Sequence, residues 1–310
     1  MLAVFLKTLP FFGLIGLGFA AGKTRFFPEE ATAHLTKFVF YFALSAMLFR
    51  FSATLSFSEI FDLRLAAGYL WGTAFVYGIA MGVAFYRGLD TPTSAIEAQC
   101  AAIGNTGFLG VPMLALLMGQ AAVAPIILVL AIDLIVFSSV LTVLVVGARD
   151  TRGPVQVLGT AAKGLVKNPM IVSIGLGLCV SASGWSLPVV LDEFLATLGA
   201  AATPCALFAI GASLASKSAE RVEIAAWLSF CKLVLHPLFV AAGTLVFFRA
   251  GAFESAVVIA AASLPVAGNV FILAQHYGIA PQRVSASILI STAISIVTVS
   301  AVIAAVTATL

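Results

Sequence analysis

Gly104-Asn105-Thr106-Gly107-Phe108-Leu109-Gly110-Val111-Pro112 interrupts an apolar run, Ala95 to Met118, that is long enough to cross a bilayer. Three glycines, a proline and an asparagine stand where an ordinary spanning helix carries Leu and Val. Proline removes a backbone donor and clashes with the preceding turn, and glycine lowers helix propensity further. Backbone groups freed by such a break cannot face lipid, so the break must be buried in protein or line a wet cavity. Pro112 and, in a second interrupted run, Pro265 are expected to set the breaks. That second stretch is Ser263-Leu264-Pro265-Val266-Ala267-Gly268-Asn269.

Composition places both stretches in a membrane. The 310 residues are 62% hydrophobic and 9% charged, with mean hydropathy +1.14, whereas soluble domains carry about 25% charged residues. The apolar runs are continuous, not the short alternating segments of a barrel, so the expected class is an all-α membrane protein with the lipid bilayer as its surroundings. The formal net charge of +3 is small, and no basic segment is interleaved with aromatics, which argues against nucleic acid as a partner. Cys100, Cys179, Cys205 and Cys231 lie in apolar runs without metal-ligand spacing and read as buried free thiols. No metal and no cofactor is expected. The absence of Ser-His-Asp, HExxH or Cys/His patterns argues against an enzyme.

Ten runs are long enough to span, at roughly 3–22, 35–54, 64–86, 94–118, 122–147, 168–184, 190–215, 224–248, 254–277 and 284–308. Lys7 and the small residues Ala20-Ala21-Gly22 mimic a signal peptide, but the first run is read as a retained helix because its Gly motif returns. Ile15-Gly16-Leu17-Gly18 reappears as Ile174-Gly175-Leu176-Gly177, an offset of 159. Leu114-Ala115 reappears as Leu273-Ala274 at the same offset, and Ala46-Met47-Leu48-Phe49 resembles Ala206-Leu207-Phe208-Ala209 at 160. One offset serving three places predicts a 5+5 inverted repeat: residues 1–147, a cytoplasmic linker 148–167 read as a long polar loop, and residues 168–310. Five spans per half force the halves into opposite orientations.

The basic residues test that count. With the N-terminus outside, the inner loops hold Lys23, Arg25, Lys37, Arg87, Arg149, Arg152, Lys163, Lys167, Lys217, Arg221 and Arg283. The outer side holds Lys7, Arg50, Arg64 and Arg249. Both termini are therefore expected outside.

At this point the chain resembles the auxin efflux carrier family of membrane transporters, in its bacterial branch. The resemblance is carried by Asn105 to Pro112, by Leu264 to Ala274 followed by Tyr277-Gly278, by Lys232-Leu233 with Pro237, and by Pro204 with Leu207 to Leu214. In the second span, where the family often carries a proline, Leu44-Ser45 stands. The resemblance implies crossing broken helices 4 and 9, as in bile-acid symporters and cation/proton antiporters. It implies a scaffold (spans 1, 2, 6 and 7) beside a mobile transport domain (spans 3–5 and 8–10). It further implies elevator-type secondary transport of a small organic anion, auxin-like or malonate- or malate-like, across a bacterial inner membrane. A homodimer is compatible with that arrangement. The alternative is a sodium-coupled bile-acid-type symporter or a cation/proton antiporter.

Broken helices turn positive dipole ends toward the break, which suits a carboxylate. Asn105 and Asn269 add amide donors, with satisfaction of their own broken backbone as the plain reading. Thr106, Gly107, Pro112, Pro265 and Gly268 complete the expected binding set. Ser45, with Thr203, is a small polar residue that either lines the cavity or serves helix packing. Asp133 is a mid-span carboxylate, read equally as a coupling group or as half of a structural pair. Lys232 and His236 lie four apart on one helix face. Lys232 reads as a salt-bridge partner or an anion contact, and His236 as a satisfied core histidine or a proton relay. Glu97, Glu254, Gln275 and His276 read as interfacial.

Overall fold

The structure, a computed structural model, describes residues 2–55, 62–149, 154–216 and 222–308. The loop residues Asp150, Thr151, Arg152, Gly153, Lys217 and Arg221 lie outside that set. In chain order the helices are α1 (Leu2–Lys23), α2 (Glu29–Ala53), α3 (Leu63–Tyr86), α4 (Thr91–Ala102) and α5 (Thr106–Met118). There follow α6 (Gln120–Ala148), α7 (Pro154–Lys167), α8 (Pro169–Ala182) and α9 (Val189–Ala215). The chain ends with α10 (Val222–Phe247), α11 (Ala252–Ala262), α12 (Gly268–Tyr277) and α13 (Pro281–Ala308). Among the described residues, seven of these (α1, α2, α3, α6, α9, α10 and α13) are long and apolar enough to cross a membrane singly. The protein is a multi-pass, all-helical membrane protein.

Local chemistry sets the helix starts. Asp62 accepts from the backbone N–H of Arg64 at 2.8 Å and opens α3. Asp90 accepts from that of Thr93 at 3.1 Å and opens α4. Each satisfies donors that a first turn leaves orphaned. Asn168 caps α8, and Pro169, which lacks an N–H, follows it. There the chain bends by 70° between α7 and α8. The stretch read as a polar loop is therefore helical from Pro154 to Lys167.

Packing follows the small residues. Lipid gives no hydrophobic drive for helix association, so backbones must approach closely enough for van der Waals contact. α1 lies along α9, α8 along α2, and α3 along α10. A methyl group built on Gly211 would land on the backbone carbonyl of Ile15, and one on Gly18 would land on that of Phe208. Neither neighbour is a flexible side chain that can swing away. Gly211→Ala is expected to cost about 1–3 kcal/mol by overpacking, read as a lower melting temperature in detergent. An unchanged melting temperature would contradict this contact.

Several spans contain a π-type turn, at Val39–Ala43, Thr106–Gly110, Asp133–Phe137, Cys231–Leu235 and Ala242–Phe247. Such turns cluster at functional positions, and two of them carry Asp133 and Lys232. Two thiols are buried, Cys100 and Cys231, whereas Cys179 is exposed on the outer surface of α8, which corrects its reading as buried.

Candidate functional site

The two interrupted stretches meet. The break between α4 and α5 and the break between α11 and α12 run antiparallel, with Gly104 opposite Val266. The Asn105 N–H donates to the Pro265 carbonyl at 2.8 Å, and the Ala267 N–H donates to the Ile103 carbonyl at 3.1 Å. The Val266 N–H donates to Ser291 Oγ of α13 at 3.1 Å, and the Lys232 amino group donates to the Ala262 carbonyl at the end of α11. These bonds pair several of the backbone groups that the breaks release, as burial in a membrane requires. Pro265 lies in its break, as read. Pro112 does not: the first break is at Ile103–Asn105, and Pro112 sits in the first turn of the segment Val111–Met118, after a π-type turn. Helix therefore runs on both sides of Pro112 within α5, and the wider π-type turn Thr106–Gly110 just before it accommodates the missing N–H.

Four helix ends converge on the crossing. α5 and α12 present N-termini, and α4 and α11 present C-termini. The positive ends suit an anion, while Lys232 answers the negative end of α11. Beside the crossing opens a cavity of about 790 Å3, within the range of small-molecule sites. Asn105, Gly268, Asn269, Val266 and Thr292 line its inner end. Thr36, Lys37, Tyr41, Ser213, His276 and Tyr277 stand among its other walls. Gln275 and His276, read as interfacial, therefore also line the cavity. A second chamber of about 20 Å3 adjoins it, sharing Asn105 and Asn269 and bounded by Gly107 and Asp133. Thr106, Pro112, Pro265, Ser45 and Thr203 are not among the residues that line either space. The Ser45 hydroxyl instead donates to the Phe40 carbonyl at 3.0 Å, serving the π-type turn of α2.

Behind the crossing lies a buried polar cluster. Asp133 is 2% exposed, and Lys232 and His236 are 0% exposed. Tyr69 Oη donates to Asp133 Oδ1 at 2.8 Å, while Asp133 Oδ2 is buried without a partner. Thr73 Oγ1 donates to the Tyr69 carbonyl at 2.7 Å, which commits its only proton. His236 Nε2, 3.0 Å away, must therefore be the N–H that Thr73 accepts. That leaves His236 Nδ1 as the acceptor for the Lys232 amino group at 2.9 Å. Both ring nitrogens of His236 thus have partners, and Nδ1 also lies 3.2 Å from the Ala262 carbonyl that Lys232 reaches. Among the described residues Asp133 and Lys232 form no direct ion pair, although their charges attract across the cluster.

Sequence reasoning missed two features. Tyr69 and Thr73 hold the cluster, and with Tyr77 they form a buried stripe at four-residue spacing along α3. That stripe of polar groups in an apolar span was a readable signal. Glu97, read as interfacial, is 1% exposed. Arg87 grips it through Nη1 at 2.8 Å and Nη2 at 3.1 Å, and Arg283 Nη1 donates to it at 2.6 Å.

Comparison with known proteins shows the family. The chain is 31% identical over 299 residues to a protein of Rhizobium meliloti (strain 1021) named “Putative malonate transporter”, covering 94% of this chain and 92% of that one. Residues 3–303 match the family described as Membrane transport protein. With its crossed, broken helices beside a large cavity, the chain belongs to that family, the auxin efflux carrier-like membrane transporters.

Proposed function

We propose that this protein is a secondary carrier for a small organic anion, with malonate as the first candidate, and that it holds the carboxylate at the crossing of the broken helices. One observation carries the reading. Asn105 and Asn269, from opposite halves of the chain, flank the same cavity at the N-termini of α5 and α12. Each amide offers two donors, and two positive helix ends add to them. Gly268 leaves the backbone of α12 open to the cavity, since a methyl group there would meet nothing within 4 Å.

The spans are ten in two inverted halves. The seven long helices are joined by α8 and by the broken pairs α4/α5 and α11/α12. Exchange of partners supports this arrangement. Span 1 (α1) lies on span 7 (α9), just as span 6 (α8) lies on span 2 (α2), and span 3 (α3) lies on its counterpart span 8 (α10). α1, α2, α8 and α9 form the scaffold, and α3–α6 with α10–α13 form the transport domain. The cavity lies between them and takes residues from both. Sliding one body along the other carries the crossing from one side to the other, in the manner of an elevator.

The cavity lining also includes Gly22, Glu29, Lys37, Thr160, Gly164 and Gln275. These belong to the loops and helix ends that the basic-residue bias assigns to the cytoplasm. With both termini outside a bacterial inner membrane, the conformation described is inward-facing. The test is uptake of labelled malonate into liposomes holding the purified protein. Saturable uptake that other small carboxylates compete away is expected. Flux that never saturates would indicate a channel, and failure to move any carboxylate of a mono-, di- and aromatic-acid panel would overturn the proposal.

A further inference from the structure

The chamber behind the asparagines is distinct from the larger cavity proposed to hold the anion. It measures about 20 Å3 and is bounded by Asn105, Gly107, Leu130, Asp133, Met170, Ala267 and Asn269, among others. Two of its lining residues carry a buried oxygen without a protein partner, Asp133 Oδ2 and Asn269 Oδ1. Both are acceptors, and buried orphan acceptors are costly. A space that admits one water-sized sphere can hold one water, provided two or more polar groups face it. One water has two protons to give, which matches the two orphan acceptors.

We propose that this chamber is a one-water relay through which Asp133 takes up and releases a proton together with the transported anion. The relay rests on the crossover reading of the anion site. A proton from the main cavity passes to the chamber water, and that water passes a proton to Asp133 Oδ2. The carboxylate becomes a carboxylic acid, and the relay water is restored. Release runs the same steps backward.

Electrostatics couples the two events. The ionisable groups that face Asp133 are Tyr69 from α3 and Lys232 from α10, with His236 behind Lys232. Among the described residues, α4, α5, α8 and α12 present Gly104, Asn105, Gly107, Met170 and Asn269 to the chamber, none of them charged. With Asp133 ionised, its charge offsets that of Lys232. With Asp133 protonated, the Lys232 charge is left uncompensated a short way behind the crossing, and an anion there is favoured. The chamber water adds a mechanical link. It holds Asn269 Oδ1 inward, which turns the Asn269 amide N–H groups toward the cavity. A sodium ion fits poorly, because it wants several more oxygens and would face the Lys232 ammonium.

Linkage is reciprocal, so a proton that favours the anion is itself favoured by the anion. Malonate affinity is measured by calorimetry on the purified full chain in mildly acidic and mildly alkaline buffer, for the wild type and for Asp133→Asn. Both proteins meet the same ionisation of malonate, so the difference between them reports the protein. The wild type is expected to lose affinity on going alkaline, by up to about tenfold per pH unit relative to the variant. Asp133→Asn, fixed in a neutral form, is expected to keep the tight binding. Parallel pH profiles would overturn the relay. If the variant does not fold, infrared difference spectra of the wild type decide, using carbon-labelled malonate to move the ligand's bands aside. A new protein carboxylic-acid band on malonate binding supports the relay, and its absence overturns it. A wild type that binds no malonate in any buffer sinks the crossover reading, an outcome distinct from binding that ignores pH.

Discussion

Malonate binding is expected to fall below detection when Asn105 and Asn269 are both replaced by alanine, and each single replacement is expected to weaken it by roughly ten- to a hundredfold. The magnitude follows from the chemistry of the contact. A hydrogen bond to a charged group contributes about 1.5–3 kcal/mol, and about 1.4 kcal/mol is a factor of ten. The folded protein should tolerate both changes. The bond that joins the breaks at this point is made by the Asn105 backbone N–H to Pro265, which alanine keeps. Asn269 Oδ1 has no protein partner to lose. Calorimetry with malonate, alongside melting curves without ligand, separates the two effects. Wild-type affinity in both single variants would remove the amides from the site. A collapse of the ligand-free melting temperature would assign them to the fold instead.

The breaks were legible because membrane composition is so restrictive. Gly, Asn and Pro inside an apolar run violate what lipid allows, and that violation points to residues 104–112 and 263–269. The role of Pro112 was misread for a reason internal to helix chemistry. A proline can also be carried inside a helix next to a π-type turn, as Pro112 is in α5, and the sequence does not distinguish that from a break. The buried cluster was half legible. Asp133 and Lys232 stand out by charge, but their partners do not. Tyr69 reaches Asp133 across 64 positions and Thr73 reaches His236 across 163, and apolar spans look alike to any pairing argument. Thr73 sets the tautomer of His236, and although it falls on the readable polar stripe of α3, nothing in the sequence names His236 as its partner.

The same limit explains Glu97. An acidic residue in the first turns of a helix is expected at the interface, where the helix dipole favours it, and the sequence around Glu97 gives no other hint. Its burial depends on Arg283, 186 positions away, and on Arg87 at the end of α3. The three side chains tie α3, α4 and the start of α13 together. In the proposed arrangement all three helices lie within the moving body, so the triad serves its rigidity and does not touch the anion.

Glu97→Ala is accordingly expected to cost about 3–5 kcal/mol of stability, the penalty for removing one member of a buried charge cluster. Two guanidiniums, with side chains 28% and 16% exposed, would then face each other without their shared carboxylate. Charge is the decisive quantity, since Glu97→Gln keeps the shape and one acceptor yet should still lose much of the stability. Combining Glu97→Leu with Arg87→Met and Arg283→Met should recover it, because a buried ion cluster can be exchanged for apolar side chains of similar volume at little or no cost. Chemical or thermal unfolding in detergent, read together with malonate affinity, makes the test. A Glu97→Ala protein that melts like the wild type would show that the carboxylate is solvated in the membrane-embedded protein. A variant of full stability that has lost malonate binding would move Glu97 from the frame of the carrier to its anion site.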